Sequence, residues 1–273
     1  MSARSTRFWT ALAPVPATAV GLALASSYGV RWTAYAPNLV AIVLGAAMTF
    51  APRKLDRLER WAPPPAAIGV AATLLGSRVD GVARWIGLGG LQIHASSLLA
   101  PWLLLGLASR SATHRRTSLA ATVITQIIHV AQPDAGQATA LAAGVLALVV
   151  VRQRTSPDER LGAGALGALA AIAWTRPDPL APVDHVERVF FLAFDRGGPW
   201  LVAVAVATLP LFAVLASGAA RPREPLALAV LAYFAASVAV TFVGQFPVPV
   251  FGAGFATTLG WYALAAVKVR RPD

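Results

Sequence analysis

A chain of 273 residues with 57% hydrophobic residues, 13% charged residues and a mean hydropathy of +0.63 is too apolar for a water-soluble globular protein and reads as a polytopic membrane protein. The lack of cysteine excludes disulfides and thiolate metal sites. A net charge of +11 would suit nucleic acid, but the placement of the charges assigns it to membrane topology and argues against that partner.

Apolar runs divided by Pro, Gly and charge clusters predict ten helical spans, near 8-28, 36-52, 63-78, 92-109, 117-131, 137-151, 161-175, 198-217, 225-243 and 248-267. The segments are continuous rather than alternating, which excludes a barrel and leaves an all-α transmembrane bundle forming a single domain, 1-273. The first run carries Pro14 and Pro16 and leads straight into further spans, so it is predicted to be the first span and not a cleaved signal. With the N-terminus inside, 17 of the 23 Lys and Arg fall on the cytoplasmic side, including the basic loop Arg53-Lys54-Leu55-Asp56-Arg57-Leu58. This bias predicts both termini in the cytoplasm. The acids Asp80, Asp134, Asp178, Asp184, Glu187 and Asp195 then lie outside, mostly in a main outer loop, 176-197.

Four stretches carry the candidate chemistry. The first is Arg84-Trp85-Ile86-Gly87-Leu88-Gly89, where Trp85 suits headgroup depth and Arg84 can meet a phosphate or carboxylate. Second comes Gln132-Pro133-Asp134-Ala135-Gly136, which reads as a capped, tightly packed turn with Asp134 near the outer rim. In the outer loop, Asp184, His185 and Glu187 can supply a general base, Arg188 can hold a pyrophosphate, and Asp195 can bind a metal or pair with Arg188 or Arg196. The competing explanation there is a loop whose charges face water. The last stretch, Gly244 to Gly254, holds two prolines at alternate positions and predicts irregular backbone lining a cavity.

In set and order these stretches resemble the SEDS family (shape, elongation, division and sporulation), the FtsW/RodA/SpoVE type of membrane protein. Arg84-Trp85-Ile86 and Leu88-Gly89 resemble the family's R-R-W-I-x-L-G, and Gln132-Pro133-Asp134-Ala135-Gly136 resembles Q-P-D-x-G. His185-Val186-Glu187-Arg188-Val189-Phe190 resembles H-T-D-F-x-F, with Asp195 and Gly198 at the spacing of the downstream E-E-x-G. Val248-Pro249-Val250 and Gly254 echo the closing L-P-F-x-S-Y-G-G-S. The chain departs at Ser97 and Ala100, where the family's Q-P-S-E-x-x-K has Glu and Lys.

The resemblance implies a glycosyltransferase that polymerises lipid II on the outer face of the bacterial cytoplasmic membrane in cell shape or division. It implies Glu187 at the position of the essential Asp, with His185 and Asp195 as its catalytic company. Arg84, Arg188, Asp134 and Gln132 would hold the undecaprenyl-linked substrate. The implied partner is a single-pass transpeptidase of the class B penicillin-binding type, among membrane lipids. Mg or Mn is the one cofactor it leaves open, with no metal ligands assigned. The lost Glu and Lys raise a second reading, a non-catalytic scaffold of a cell-wall complex that associates through small-residue faces such as Gly164 and Ala168. A third, a flippase for a lipid-linked precursor, needs ionisable groups at mid-membrane, where His129 and His94 are the main candidates.

Overall fold

The computed structural model describes residues 3–51, 60–76, 78–89, 91–217 and 225–268. The basic loop 53–58, Arg221, Arg223, Arg270 and Arg271 lie outside the described residues. α1 (Ala3–Leu12) and α2 (Pro14–Ser27) form one apolar stretch, Ser5–Ser27, with Pro14 in the first turn of α2, where its missing N–H costs nothing. A 3-10 turn (Trp32–Tyr35) leads into α3 (Ala36–Phe50), and a shorter α4 (Pro63–Ala72) follows.

The span expected from 92 starts later, because residues 85–94 form a hairpin. β1 (Trp85–Leu88) pairs antiparallel with β2 (Leu91–His94), setting Trp85 opposite His94. Gly89, at φ 54°, takes the left-handed turn conformation that lets the chain reverse. The helix proper, α5 (Ala95–Leu107), begins once His94 accepts the N–H of Ser97 as its cap.

α6 (Ala112–Ala131) starts at 112 rather than 117, because Ser111 caps it through the N–H of His114. Asp134 caps α7 (Ala135–Val151) by accepting the N–H of Gln137 at 3.2 Å. α8 (Pro157–Trp174) starts at 157 rather than 161. Ser156 and Glu159 form a reciprocal capping box there, and Asp158 and Glu159 complement the positive helix end. The outer loop holds two short helices, α9 (Asp184–Glu187) and α10 (Val189–Arg196). It is followed by α11 (Gly198–Ala216), α12 (Pro225–Ala239), an irregular stretch through 244–254, and α13 (Phe255–Lys268).

α7 packs between α8 and α12, and α13 packs between α3 and α5, around a core that includes Leu103, Leu104, Leu141, Leu148, Phe234 and Trp261. Outside this core the helix faces stay apolar. On α11 only Ala207, Leu211 and Leu215 are buried, a stripe spaced by four, while Val202, Val206 and Leu209 are exposed. Leu39, Val40, Val43 and Leu44 are exposed on α3 in the same way. A 19-residue helix spans about 28 Å, close to the hydrocarbon thickness of a bilayer. Apolar faces turned outward on helices of that length make the chain a multi-pass helical membrane protein.

Candidate active site

The irregular stretch before α13 is held in place from two sides. Beneath it, the Asn38 side chain donates to Gly252 O at 2.9 Å and to Thr258 Oγ1 at 3.0 Å, and accepts the Gly254 N–H at 2.7 Å. Above it lies α9: Val248 N–H donates to Val186 O and Ala253 N–H to His185 O, both at 2.9 Å. The Tyr35 hydroxyl bridges them, reaching His185 O at 3.3 Å and Phe251 O at 3.1 Å. Gly252 is required by this contact, since a Cβ there would stand 2.3 Å from Val186 O. The closing segment, expected as irregular backbone lining a cavity, thus also fixes the short helix that carries Glu187.

The hairpin, the Gln132–Asp134 turn and the outer loop meet at Arg84, which is 3% exposed. Its Nε donates to Gln132 O at 3.0 Å, and Nη2 donates to Pro133 O and, at 2.7 Å, to Asp178 Oδ2. One strand over, His94 Nε2 stands 3.2 Å from Asp134 Oδ2. The Ser97 N–H and hydroxyl both face His94 Nδ1, which makes that nitrogen the acceptor and leaves the ring proton on Nε2, toward Asp134. Glu187 lies within the electrostatic reach of Arg84, Asp178 and His94. Its Oε2 accepts the Val183 N–H at 2.7 Å. Burial pushes its carboxyl above the usual Glu range, against the opposing pull of the Val183 N–H and the Arg84 charge. A half-buried carboxylate of raised basicity, oriented by a backbone donor, has the character of a general base for a hydroxyl.

The remaining predicted residues distribute unevenly. His185 contributes its carbonyl to the closing segment, and no hydrogen bond joins its ring to Glu187. Burial lowers its basicity, with Asp184 opposing. Arg188 faces outward, 3.6 Å from Asp184 and over the Phe191 ring. The expected pairing of Asp195 with Arg188 or Arg196 is absent. Asp195 is exposed at the far end of α10, about 10 Å of helix rise from Arg188, and Arg196 instead donates to Ser27 O and stacks on Tyr28 at 4.3 Å. Gln132 is buried, its amide donating to Thr73 Oγ1. Among the described residues no three His, Asp or Glu side chains cluster as a metal site.

Several groups here were not singled out from the sequence. Asp178 carries the ion pair to Arg84. Tyr35 and Asn38 hold the closing segment; an amide inside an apolar span was the available signal for Asn38. A pocket between α5, α7, α12 and α13 is lined by His94, Ser97, Asp134, Gln137, Tyr233 and Trp261, with Phe246 and Pro249 from the closing segment. Gln137 links its walls, donating to Ser97 Oγ at 3.1 Å and accepting the Tyr233 hydroxyl at 2.6 Å.

No family model matches the sequence, and no curated protein sequence matches it. Solved structures do. Thermus thermophilus rod shape determining protein RodA superposes with a TM-score of 0.69 at 21% identity over 97% of each chain. A single-residue variant of the same RodA gives 0.70 at 21% identity, over 97% of this chain and 98% of that one. A chain of a peptidoglycan synthase complex that coordinates polymerization and crosslinking gives 0.71 at 20% identity, over 95% and 96%. The chain has the SEDS-type fold.

Proposed function

We propose that this chain is a SEDS-type glycosyltransferase that polymerises lipid II on the outer face of the bacterial cytoplasmic membrane. The observation that carries the reading is Glu187: a desolvated carboxylate beside the Arg84–Asp178 pair, in a fold shared with RodA. In the reaction, the acceptor sugar hydroxyl attacks the anomeric carbon of the donor while Glu187 takes its proton. The bond from that carbon to the diphosphate breaks, and the lipid diphosphate leaves with the electron pair. Arg84 and Arg188 supply positive charge near the leaving group. Complex formation with a class B penicillin-binding transpeptidase is part of this proposal, supported by the likeness to a chain of a peptidoglycan synthase complex.

The test is polymerisation of labelled lipid II by the purified protein in detergent, with and without a transpeptidase partner, beside Glu187→Gln. Glycan strands that vanish in the variant are expected; equal strands from both proteins would sink the assignment of the base. A scaffold reading keeps one specific observation, the open face of α8 where Gly164 and Gly167 have nothing within 4 Å. It predicts bound but unpolymerised lipid II from wild type and variant alike.

A further inference from the structure

We propose that Asp178 is an internal stand-in for a diphosphate at Arg84, and that a diphosphate ligand displaces it and frees the strap 175–183. This rests on the proposed function for its biological source of diphosphate, and on geometry for everything else. Arg84 is immobilised from the protein side by two backbone carbonyls, Gln132 O and Pro133 O, which carry no charge to neutralise it. Among the described residues its one ion-pair partner is Asp178 Oδ2, at 2.7 Å, and no protein hydrogen bond falls on Nη1. The guanidinium is therefore built as a fixed, half-used fork: one oxygen is bound at Nη2 and the place for a second is vacant.

The anion now on Nη2 comes from the wall least tied by regular structure. Asp178 sits on a segment without regular structure, its side chain 24% exposed against 4% for Arg84. The far end of that segment is tied by the Val183 N–H to Glu187. A diphosphate offers two oxygens at the spacing of the fork and more charge than one carboxylate, so it can replace Asp178 on Nη2 and also engage Nη1. The exchange would loosen the strap from Arg84 while its other end still holds Glu187, coupling occupancy of the leaving-group site to the base.

The experiment measures inorganic pyrophosphate binding to the purified full chain in detergent by calorimetry, for wild type and Asp178→Asn. Hydrogen exchange of 175–183 is followed in parallel, with polyprenyl diphosphate and phosphatidylglycerol as competitors. Removing the internal competitor is expected to tighten pyrophosphate about tenfold, because the binding-competent fraction rises. Pyrophosphate should also raise exchange of the strap in wild type, to the level Asp178→Asn shows without ligand. Unchanged or weaker binding in Asp178→Asn would make Asp178 a plain structural partner and overturn the proposal. Equal competition by phosphatidylglycerol would overturn the assignment to diphosphate. None of these readouts requires turnover, so a failure of the polymerase reading leaves them interpretable.

Discussion

Two charge clusters lie toward opposite ends of α8, an 18-residue helix about 27 Å long, and they are finished to different degrees. At the start of the helix, Glu159 accepts from Arg115 at 2.7 Å, Arg152 at 2.9 Å and the Ser156 N–H at 2.8 Å. The guanidiniums spend their other donors on the carbonyls of Ser109, Arg110 and Leu107, which ties four helix ends together. At the other end, Asp134 Oδ2 and Gln132 Oε1 are buried without a hydrogen-bond partner, as is Trp261 Nε1 in the adjoining pocket, and Glu187 is desolvated with a single backbone donor. His94 is close to Asp134 Oδ2 but not aligned on it. A closed network maximises stability, whereas an open one holds unspent interactions for a ligand. The contrast separates a closed network from an open one on hydrogen-bonding grounds alone.

Crossed substitutions are the strongest way to break that contrast. Glu187→Gln should cut polymerisation by about 100-fold or more, the span of a general base, while leaving the thermal midpoint in detergent unmoved. Glu159→Gln should do the reverse: a loss of about 2 kcal/mol from two partly exposed guanidiniums left uncompensated, with activity per folded molecule retained. If Glu187→Gln unfolded the protein and Glu159→Gln silenced it, the assignment of the two clusters would be inverted. Gly252→Ala tests the link between closing segment and α9. Its Cβ collides with backbone, so a loss of about 1–3 kcal/mol is expected together with lower activity, read by thermal melts and the polymerisation assay.

Acid sharpens the comparison with the smallest intervention. Burial raises Glu187, so its base form is lost at a higher pH than for a solvated Glu, near 4.3, and the acid limb of the polymerisation rate should lie above that value. Burial alone would also raise Glu159, but the Ser156 N–H and its two arginines outweigh burial and hold it below the usual range. A depressed folded value means that its stabilisation is fully present above the unfolded value and disappears as pH falls through the folded one. Titrating downward should therefore silence the protein before it melts; simultaneous loss would tie both ends to one group.

The segments around the site were legible because polar residues in so apolar a chain stand out. Arg84, Asp134 and Glu187 were each visible, and the structure brings their segments together. The hairpin was hidden because a Gly-rich run beside a Trp reads equally as an interfacial anchor. The starts of α6 and α8 were hidden because their capping residues are charged or polar and were counted as loop. Asp178 looked like any outer-loop acid, since nothing in its neighbours names Arg84, 94 residues away, as its partner.

Composition and charge by themselves determined a helical membrane protein, because hydrocarbon admits only segments that satisfy their own backbone and the positive residues must stay on one side. Which acid became a desolvated base, which became a counter-ion and which merely faces water was decided only by tertiary structure. Burial and partnership are properties of the packed neighbours, and Glu187, Asp178 and Asp195 are chemically near-identical until α9, the strap and the closing segment fold around them.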